Sequence, residues 1–556
     1  MLGLTIPTIV VVVAIVLSWP LARYMQWAMD PSDAGPIRIR YEKTCAALLG
    51  YEICRPQSWK QYCVSMLTFH LLMFGFAYLV LTTQQWLPLN PDGKGPLEPS
   101  LAFNTAASFT SNTNLQHYSG EVSLSYFSQL GALMWLQFVS AATGIAVVTA
   151  LARGLAGFSR LGNFYLDVWR AAALILLPLS IVWAGLLVLC GAPMTLEGSA
   201  VATTLEGATQ TIARGPVAAF IAIKQLGTNG GGWFGPNCTH PFENPTFWSN
   251  VLSNIAILLV PMATVWMFGR ITGRVRHAAV LFGVMLALYL SFVVAACVLE
   301  SQPTAALENL PVARSMNLEG KELRFGTTAG ATWAVSTTST SNGSVNAMHD
   351  SLNPLTGLVP MAGMWLNVVF GGVGVGFINM FLFVITAVFL AGMMVGRTPE
   401  YLTRKVETKE MKLALVALLA HPLFILGGTA LFADTSWGLD TLHNPGSHGL
   451  SEIVYEFSSA AANNGSGFEG LGDNTVPWNI ATGVVMLLGR FIPIIAPLAI
   501  VGSLAAKRAA PETAGTFRTD TLLFGVVLLG TVLIVGALLF LPLAMLGPIA
   551  EHLSLR

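Results

Sequence analysis

With 556 residues the chain is long enough for several soluble domains, yet 54% of it is hydrophobic and only 10% charged, at a mean hydropathy of +0.64. That balance excludes an ordinary soluble globule and assigns most of the chain to a lipid bilayer. The 28 Lys plus Arg cancel the 28 Asp plus Glu, so no nucleic-acid partner is indicated. Six cysteines (Cys45, Cys54, Cys63, Cys190, Cys238, Cys297) form no CxxC pair and read as small hydrophobes or free thiols rather than metal ligands.

In chain order, the first apolar run covers 4–22, with no basic residue ahead of it and Arg23 directly after. A cleaved signal peptide begins with positive charge, so this run predicts a retained helix whose N-terminus is outside. Further spans are predicted at 64–83, 124–150, 171–191, 248–268, 278–299, 365–395, 412–433, 479–503 and 521–546, which makes an all-α polytopic protein with ten transmembrane helices. On that topology twenty of the 28 basic residues fall in inside segments, among them Arg38, Arg153, Arg274, Arg397 and Lys507. Seven fall outside (Lys94, Arg214, Lys224, Arg314, Lys321, Arg324, Arg556), and Arg490 lies within a span. Basic residues gather on the cytoplasmic side, so both termini are predicted outside.

Between the spans a polar motif recurs four times: Thr110-Ser111-Asn112-Thr113-Asn114-Leu115-Gln116, Gly227-Thr228-Asn229-Gly230-Gly231-Gly232, Thr340-Ser341-Asn342-Gly343-Ser344 and Ala462-Asn463-Asn464-Gly465-Ser466. Aligned on the asparagine, the copies are 117, 113 and 122 residues apart, which reads as an internal repeat. The units are a leading helix and cytoplasmic loop at 1–62, repeats at 63–152, 153–272, 273–398 and 399–506, and a closing helix at 507–556. Their loops occupy 110–116, 227–232, 340–344 and 462–466. Each follows an apolar run too short to cross a bilayer, so four re-entrant pore half-helices in pseudo-fourfold arrangement are predicted. Irregular polar backbone at membrane depth survives only where it is buried in protein or lines a cavity.

Chemically, the loops offer carbonyl, hydroxyl and amide oxygens but no carboxylate. Hard divalent ions are usually held by carboxylates, whereas rings of carbonyls replace the hydration shell of potassium, so a monovalent cation is favoured. Ser100 is the expected cap of the first half-helix, about 15 Å long. The C-terminal ends of such helices carry partial negative charge. Gly230, Gly231, Gly232, Gly343 and Gly465 allow positive φ, while Thr113 and Asn114 stand where the other loops have glycine, so strict fourfold symmetry is not expected. One such loop alone would read as a surface turn; four at one period do not.

Arg490 is predicted about 16 Å into its helix, too deep to snorkel. Beneath a filter it would oppose a cation by about 4 kcal/mol at 4 Å and an effective dielectric of 20; the alternative is a structural pair with a carboxylate. Gly371, Gly372, Gly374 and Gly376 interrupt an apolar run. They lack the strand and downstream acid of a dinucleotide loop, leaving a break in a pore-lining helix or close packing of small residues. His117, His240 and His349 follow filter loops at unequal offsets and read as polar loop residues. The run Glu400 to Lys412 reads as a solvated connection, and the acids of 434–478 as a patch concentrating cations near the mouth. No GxxxxGK[ST] loop and no Asp-Lys dipeptide occurs, so no nucleotide site is expected in this chain.

These motifs (TSNTNLQ, LGTNGGGWFGPN, TSNGSVNAMHDS and SSAAANNGSGFEG) resemble, within the superfamily of potassium transporters, the KdpA family of potassium-binding subunits of Kdp potassium-transporting P-type ATPases, over essentially the whole chain. The resemblance implies potassium coordination by Ser111, Asn112, Thr113 and Asn114, by Thr228, Asn229 and Gly230, by Ser341, Asn342 and Gly343, and by Asn463, Asn464 and Gly465, mostly through main-chain carbonyls. The asparagine side chains either touch the ion or pin the loops. Gln116, Gly231, Gly232, Ser344 and Ser466 would flank the filter, with Gln116 and Gly232 as positions where substitution weakens affinity, and the Gly371 to Gly376 stretch would be a gate or constriction. It further implies sideways delivery of the ion to an ATP-hydrolysing P-type subunit (KdpB), a single-span accessory subunit (KdpC), a small helical peptide (KdpF), and residence in a bacterial or archaeal inner membrane. The rival readings are a self-sufficient channel or ion-coupled symporter, a membrane sensor, for which no signalling domain has room, and an intramembrane enzyme, for which no HExxH or GxSxG motif is present.

Overall fold

The computed structural model describes residues 5–30, 35–50, 55–304, 311, 316–394, 396, 398–509 and 517–555. Cys54, Arg314, Arg397 and Arg556 lie outside the described residues. Among the described residues ten helices are long and apolar enough to cross a membrane: Thr5–Met29, Trp59–Trp86, Ser128–Leu155, Phe164–Leu189, Phe247–Ile271, Val275–Glu300, Val375–Met394, Thr408–Ala433, Val476–Ala505 and Leu522–Ser554. At 1.5 Å per residue even the shortest, of 20 residues, matches a hydrocarbon core about 30 Å thick. The sheet content of the described residues is two short antiparallel hairpins, Ala200–Thr203 with Thr209–Ile212 and Glu400–Tyr401 with Arg404–Lys405.

Four short helices alternate with these spans: Pro99–Thr110, Val217–Leu226, Thr327–Ser339 and Gly446–Ala461. With 10 to 16 residues they are about 15–24 Å long and stop short of a full crossing. Their side chains are buried nearly throughout, as are those of Phe247–Ile271, along which the first helix packs. The core therefore surrounds the short helices, while Trp59–Trp86, Phe164–Leu189 and Leu522–Ser554 expose apolar side chains such as Leu71, Ile181 and Leu538 at the periphery, where lipid replaces water.

Several expectations need correction. Glu98, not Ser100, caps the first short helix: its carboxylate accepts from the Leu101 amide at 2.9 Å, and Pro99 fills the first helical position, where its missing N–H costs nothing. The span expected at 365–395 is split into Pro354–Leu366 and Val375–Met394. The segment after the first span, expected as a loop, contains the helix Pro36–Leu49. The run from Glu400 is docked rather than solvated: Tyr401 is buried, Arg404 donates to the Leu504 carbonyl at 3.1 Å, and buried Glu410 accepts from Lys507 at 2.8 Å and Ser503 at 2.6 Å. The five described cysteines are free thiols, as the composition suggested.

Candidate functional site

Each short helix ends in the same backbone closure. Its last turn gives way to a residue in the left-handed region, Asn112 (φ 62°), Thr228 (47°), Ser341 (49°) and Asn463 (53°). The next amide then reaches back five residues: Thr113 to Ser108 (2.8 Å), Asn229 to Lys224 (3.1 Å), Asn342 to Thr337 (2.8 Å) and Asn464 to Ser459 (2.9 Å). This is the six-to-one bond of a Schellman-type cap, which satisfies carbonyls the helix leaves open. It also corrects the alignment: Thr113, not Asn112, is the counterpart of Asn229, Asn342 and Asn464. Positive φ at β-branched Thr228 is strained, and such strain concentrates at functional positions.

One residue further on stand Asn114, Gly230, Gly343 and Gly465, and here the loops meet edge to edge. A Cβ on Gly230 would fall 1.9 Å from the Asn342 carbonyl oxygen, one on Gly343 2.1 Å from that of Asn464, and one on Gly465 2.3 Å from the Asn114 backbone. Only glycine permits that approach. The first loop closes against the second through Asn112, whose Nδ2 donates to the carbonyls of Gly227 and Thr228, both at 3.1 Å. Four loops, each at the C-terminal and therefore partially negative end of a helix, thus adjoin in sequence order.

Side chains hold this arrangement. The Oδ1 atoms of Asn229, Asn342 and Asn464 accept from the amides two residues on, Gly231 (3.2 Å), Ser344 (3.0 Å) and Ser466 (3.0 Å). Asn342 Nδ2 crosses to the Lys224 carbonyl at 3.2 Å, and Asn464 Nδ2 to that of Thr337 at 2.8 Å. The Lys224 carbonyl therefore serves two loops, accepting from the Asn229 and Gly230 amides and from Asn342 Nδ2, while its buried ammonium pairs with Glu243 and donates to Asn237 at 2.6 Å. A lysine in an otherwise apolar run was the signal for this pair. Gln116 and Gly232 are bonded twice, and Ser111 Oγ lies 2.7 Å from Thr113 Oγ1.

Against the loops lies the helix break at Asn367–Gly374. Asn367 (φ 48°), Phe370 (62°), Gly371 (58°) and Gly374 (78°) turn the chain out of helix, and the Val373 amide donates to Thr228 Oγ1 at 2.9 Å. A Cβ on Gly372 would touch the Ser341 side chain, while Gly374 and Gly376 are each pressed against backbone, of Gly144 and of Phe370 and Gly371 respectively. Arg490 is 3% exposed. Its Nη2 donates to the Ser140 carbonyl at 3.2 Å, and Ser140 Oγ donates to Asn112 Oδ1 at 2.8 Å. Among the described residues no carboxylate lies within 4 Å of the guanidinium, so a structural pair within this chain is not what holds it.

The three histidines are not solvated loop residues. His117 and His349 are buried, the latter 2.9 Å from Tyr455 Oη, and His240 stacks on Phe234 at 3.7 Å between centroids. His117 meets Glu456 (3.2 Å) and Asp473 (3.7 Å). Burial pulls its pKa down, but the charge of Asp473 and the hydrogen bond and charge of Glu456 outweigh burial and raise it to about 9. Glu452 and Glu456 are likewise buried, whereas Asp434, Asp440 and Glu469 are exposed, so only part of the acids of 434–478 is open to solvent. Glu456 is 339 positions from His117 and Tyr455 106 from His349, so no local pattern announced these pairs.

Comparison with known proteins adds to this geometry. A curated protein of Geobacillus kaustophilus (strain HTA426), named potassium-transporting ATPase potassium-binding subunit, is 48% identical over 552 residues, covering 99% of each chain. The family described as potassium-transporting ATPase A subunit, KdpA, matches residues 8–553. With a match over nearly its whole length, this multi-pass membrane chain belongs to the KdpA family of potassium-transporting ATPase subunits.

Proposed function

We propose that the four adjoining loops are the outer selectivity filter through which this subunit takes up potassium for an ATP-driven complex. The observation that carries the reading is the edge-to-edge contact of four identically closed helix ends at Asn114, Gly230, Gly343 and Gly465. Main-chain oxygens of Ser111, Asn112, Thr113 and Asn114, of Thr228, Asn229 and Gly230, of Ser341, Asn342 and Gly343, and of Asn463, Asn464 and Gly465 bind the ion. The asparagines at the repeated position mainly pin the loops, since the oxygens of Asn229, Asn342 and Asn464 are engaged locally. Asn114 Oδ1 is buried without a partner and is the side-chain oxygen best suited to join them. Gln116, Gly231, Gly232, Ser344 and Ser466 fix the geometry around them. The absence of carboxylates in the loops supports a monovalent ion over calcium or magnesium.

The loop of Gly371, Gly372, Gly374 and Gly376 narrows the path below, and the unpaired charge of Arg490 repels an ion moving straight on. The ion leaves sideways toward the P-type catalytic subunit, with the single-span subunit and small peptide as further partners, in the inner membrane of a bacterium or archaeon with both termini outside.

The test is potassium-dependent ATP hydrolysis by the purified complex with this subunit intact or carrying Gln116→Arg. A half-saturating potassium concentration raised at least tenfold at unchanged maximal rate is expected. An unshifted curve would overturn the assignment of the affinity-setting site to this chain.

A further inference from the structure

Three residues beyond Asn114, His117 is enclosed by residues of the fourth repeat. Its Nδ1 lies 2.7 Å from Asn479 Oδ1. The amide nitrogen of Asn479 is already committed to Ser100 Oγ at 3.1 Å and Asn474 Oδ1 at 3.2 Å, so its oxygen faces the imidazole and Nδ1 carries a proton. Nε2 therefore points at Glu456 Oε1, 3.2 Å away, and Asp473 Oδ2, 3.7 Å away. Two carboxylates converging on the Nε2 edge of one imidazole call for positive charge there: with no metal bound a second proton on the ring supplies it, and a metal ion displaces that proton and takes its place. Among the described residues no Lys or Arg lies within 4 Å of either carboxylate.

The spacing suits a small, hard-to-borderline metal ion. Bonds of about 2.0–2.2 Å in tetrahedral geometry place neighbouring ligand atoms about 3.3–3.6 Å apart, and all three ligand atoms here lie within 4.8 Å of one another. His117 and Glu456 are buried, whereas the Asp473 side chain is 30% exposed, which leaves one side open for a water ligand. A histidine whose second nitrogen is held by a neighbouring amide oxygen is the usual orientation of a metal-binding imidazole. Potassium prefers a larger shell made of oxygen atoms alone, so this site is distinct from the filter.

We propose that His117, Glu456 and Asp473 form a binding site for a divalent transition-metal ion of the zinc class, with Asn479 as a positioning residue.

The experiment uses the purified, metal-stripped complex, without nucleotide or magnesium, titrated with Co²⁺ as the probe. Bound cobalt and its tetrahedral absorption bands are read in wild type, His117→Gln and Asp473→Asn. Wild type should take up one more cobalt per complex than either variant, with the bands lost on adding Zn²⁺. Should His117→Gln fail to assemble, the partly exposed Asp473→Asn decides alone, and its potassium-stimulated ATP hydrolysis reports that it is folded. Equal cobalt uptake with equal affinity in wild type and Asp473→Asn would overturn the site.

Discussion

Gln116 and Gly232 are joined by two hydrogen bonds in opposite directions: the Gly232 amide donates to Gln116 Oε1 at 2.7 Å, and Gln116 Nε2 donates to the Gly232 carbonyl at 3.1 Å. The pair locks the exit of the first loop to that of the second. Two neutral hydrogen bonds contribute about 1 kcal/mol each, and 1.4 kcal/mol is tenfold in affinity. Gln116→Leu, which removes both bonds, should raise the half-saturating potassium concentration by at least tenfold. An unchanged half-saturating concentration in an ATP hydrolysis assay would show that the pair does not act through these bonds.

Gly343 has no space for a side chain. A Cβ there would meet the Asn464 carbonyl oxygen at 2.1 Å and Asn114 Cβ at 2.6 Å, on backbone at φ +87°. Gly343→Ala should abolish potassium-stimulated hydrolysis or shift it by more than a hundredfold while the complex still assembles, because the strain is confined to the loops. Gly427, with nothing within 4 Å of a Cβ, is the control: Gly427→Ala should leave the potassium response unchanged.

Arg490 holds its charge on a carbonyl rather than on an acid. Arg490→Gln removes the charge and keeps a shorter polar side chain with a hydrogen-bond donor. Passive rubidium efflux from vesicles containing the complex should rise several-fold without ATP, and hydrolysis should become less tightly coupled to uptake. Unchanged passive flux would mean that the charge is not the barrier to straight conduction.

A histidine staple links Asp350, the short helix Gly446–Ala461 and the last long helix, Leu522–Ser554. His448 contacts Asp350 at 2.9 Å and Glu551 at 2.8 Å, with Glu452 3.9 Å away. Burial lowers its pKa, but the hydrogen bonds and charges of Asp350 and Glu551 outweigh this and raise it to about 10. A raised folded-state pKa stabilises fully below the unfolded value of about 6.5, progressively less above it, and not at all beyond the folded value. The melting-temperature gap between wild type and His448→Gln should therefore be widest near pH 6 and close as the pH rises through 10. A gap that widens with pH would reverse the sign of the staple.

The four loops were legible because glycine, asparagine and hydroxyl residues clustered at one period inside an apolar chain, and ten spans followed from hydropathy. The register of the first loop was not. Asn112 resembles the repeated asparagines in type, but backbone closure counts from the helix end, and that places Thr113 opposite them. Glu98 was overlooked as a cap although Pro99 marks the first helical position. The break at Asn367–Gly374 showed in its glycines, whereas its docking on Thr228 and Gly144 depends on tertiary contact. Likewise, His117 and Glu456 are 339 positions apart, beyond any local pattern.

The most direct test of the filter is to locate the ion itself. Anomalous scattering from crystals of the complex grown with thallium(I) in place of potassium should show density between the loops, bounded by Asn112–Asn114, Thr228–Gly230, Ser341–Gly343 and Asn463–Gly465. Thallium density confined to other parts of the complex, with none between these loops, would contradict the account.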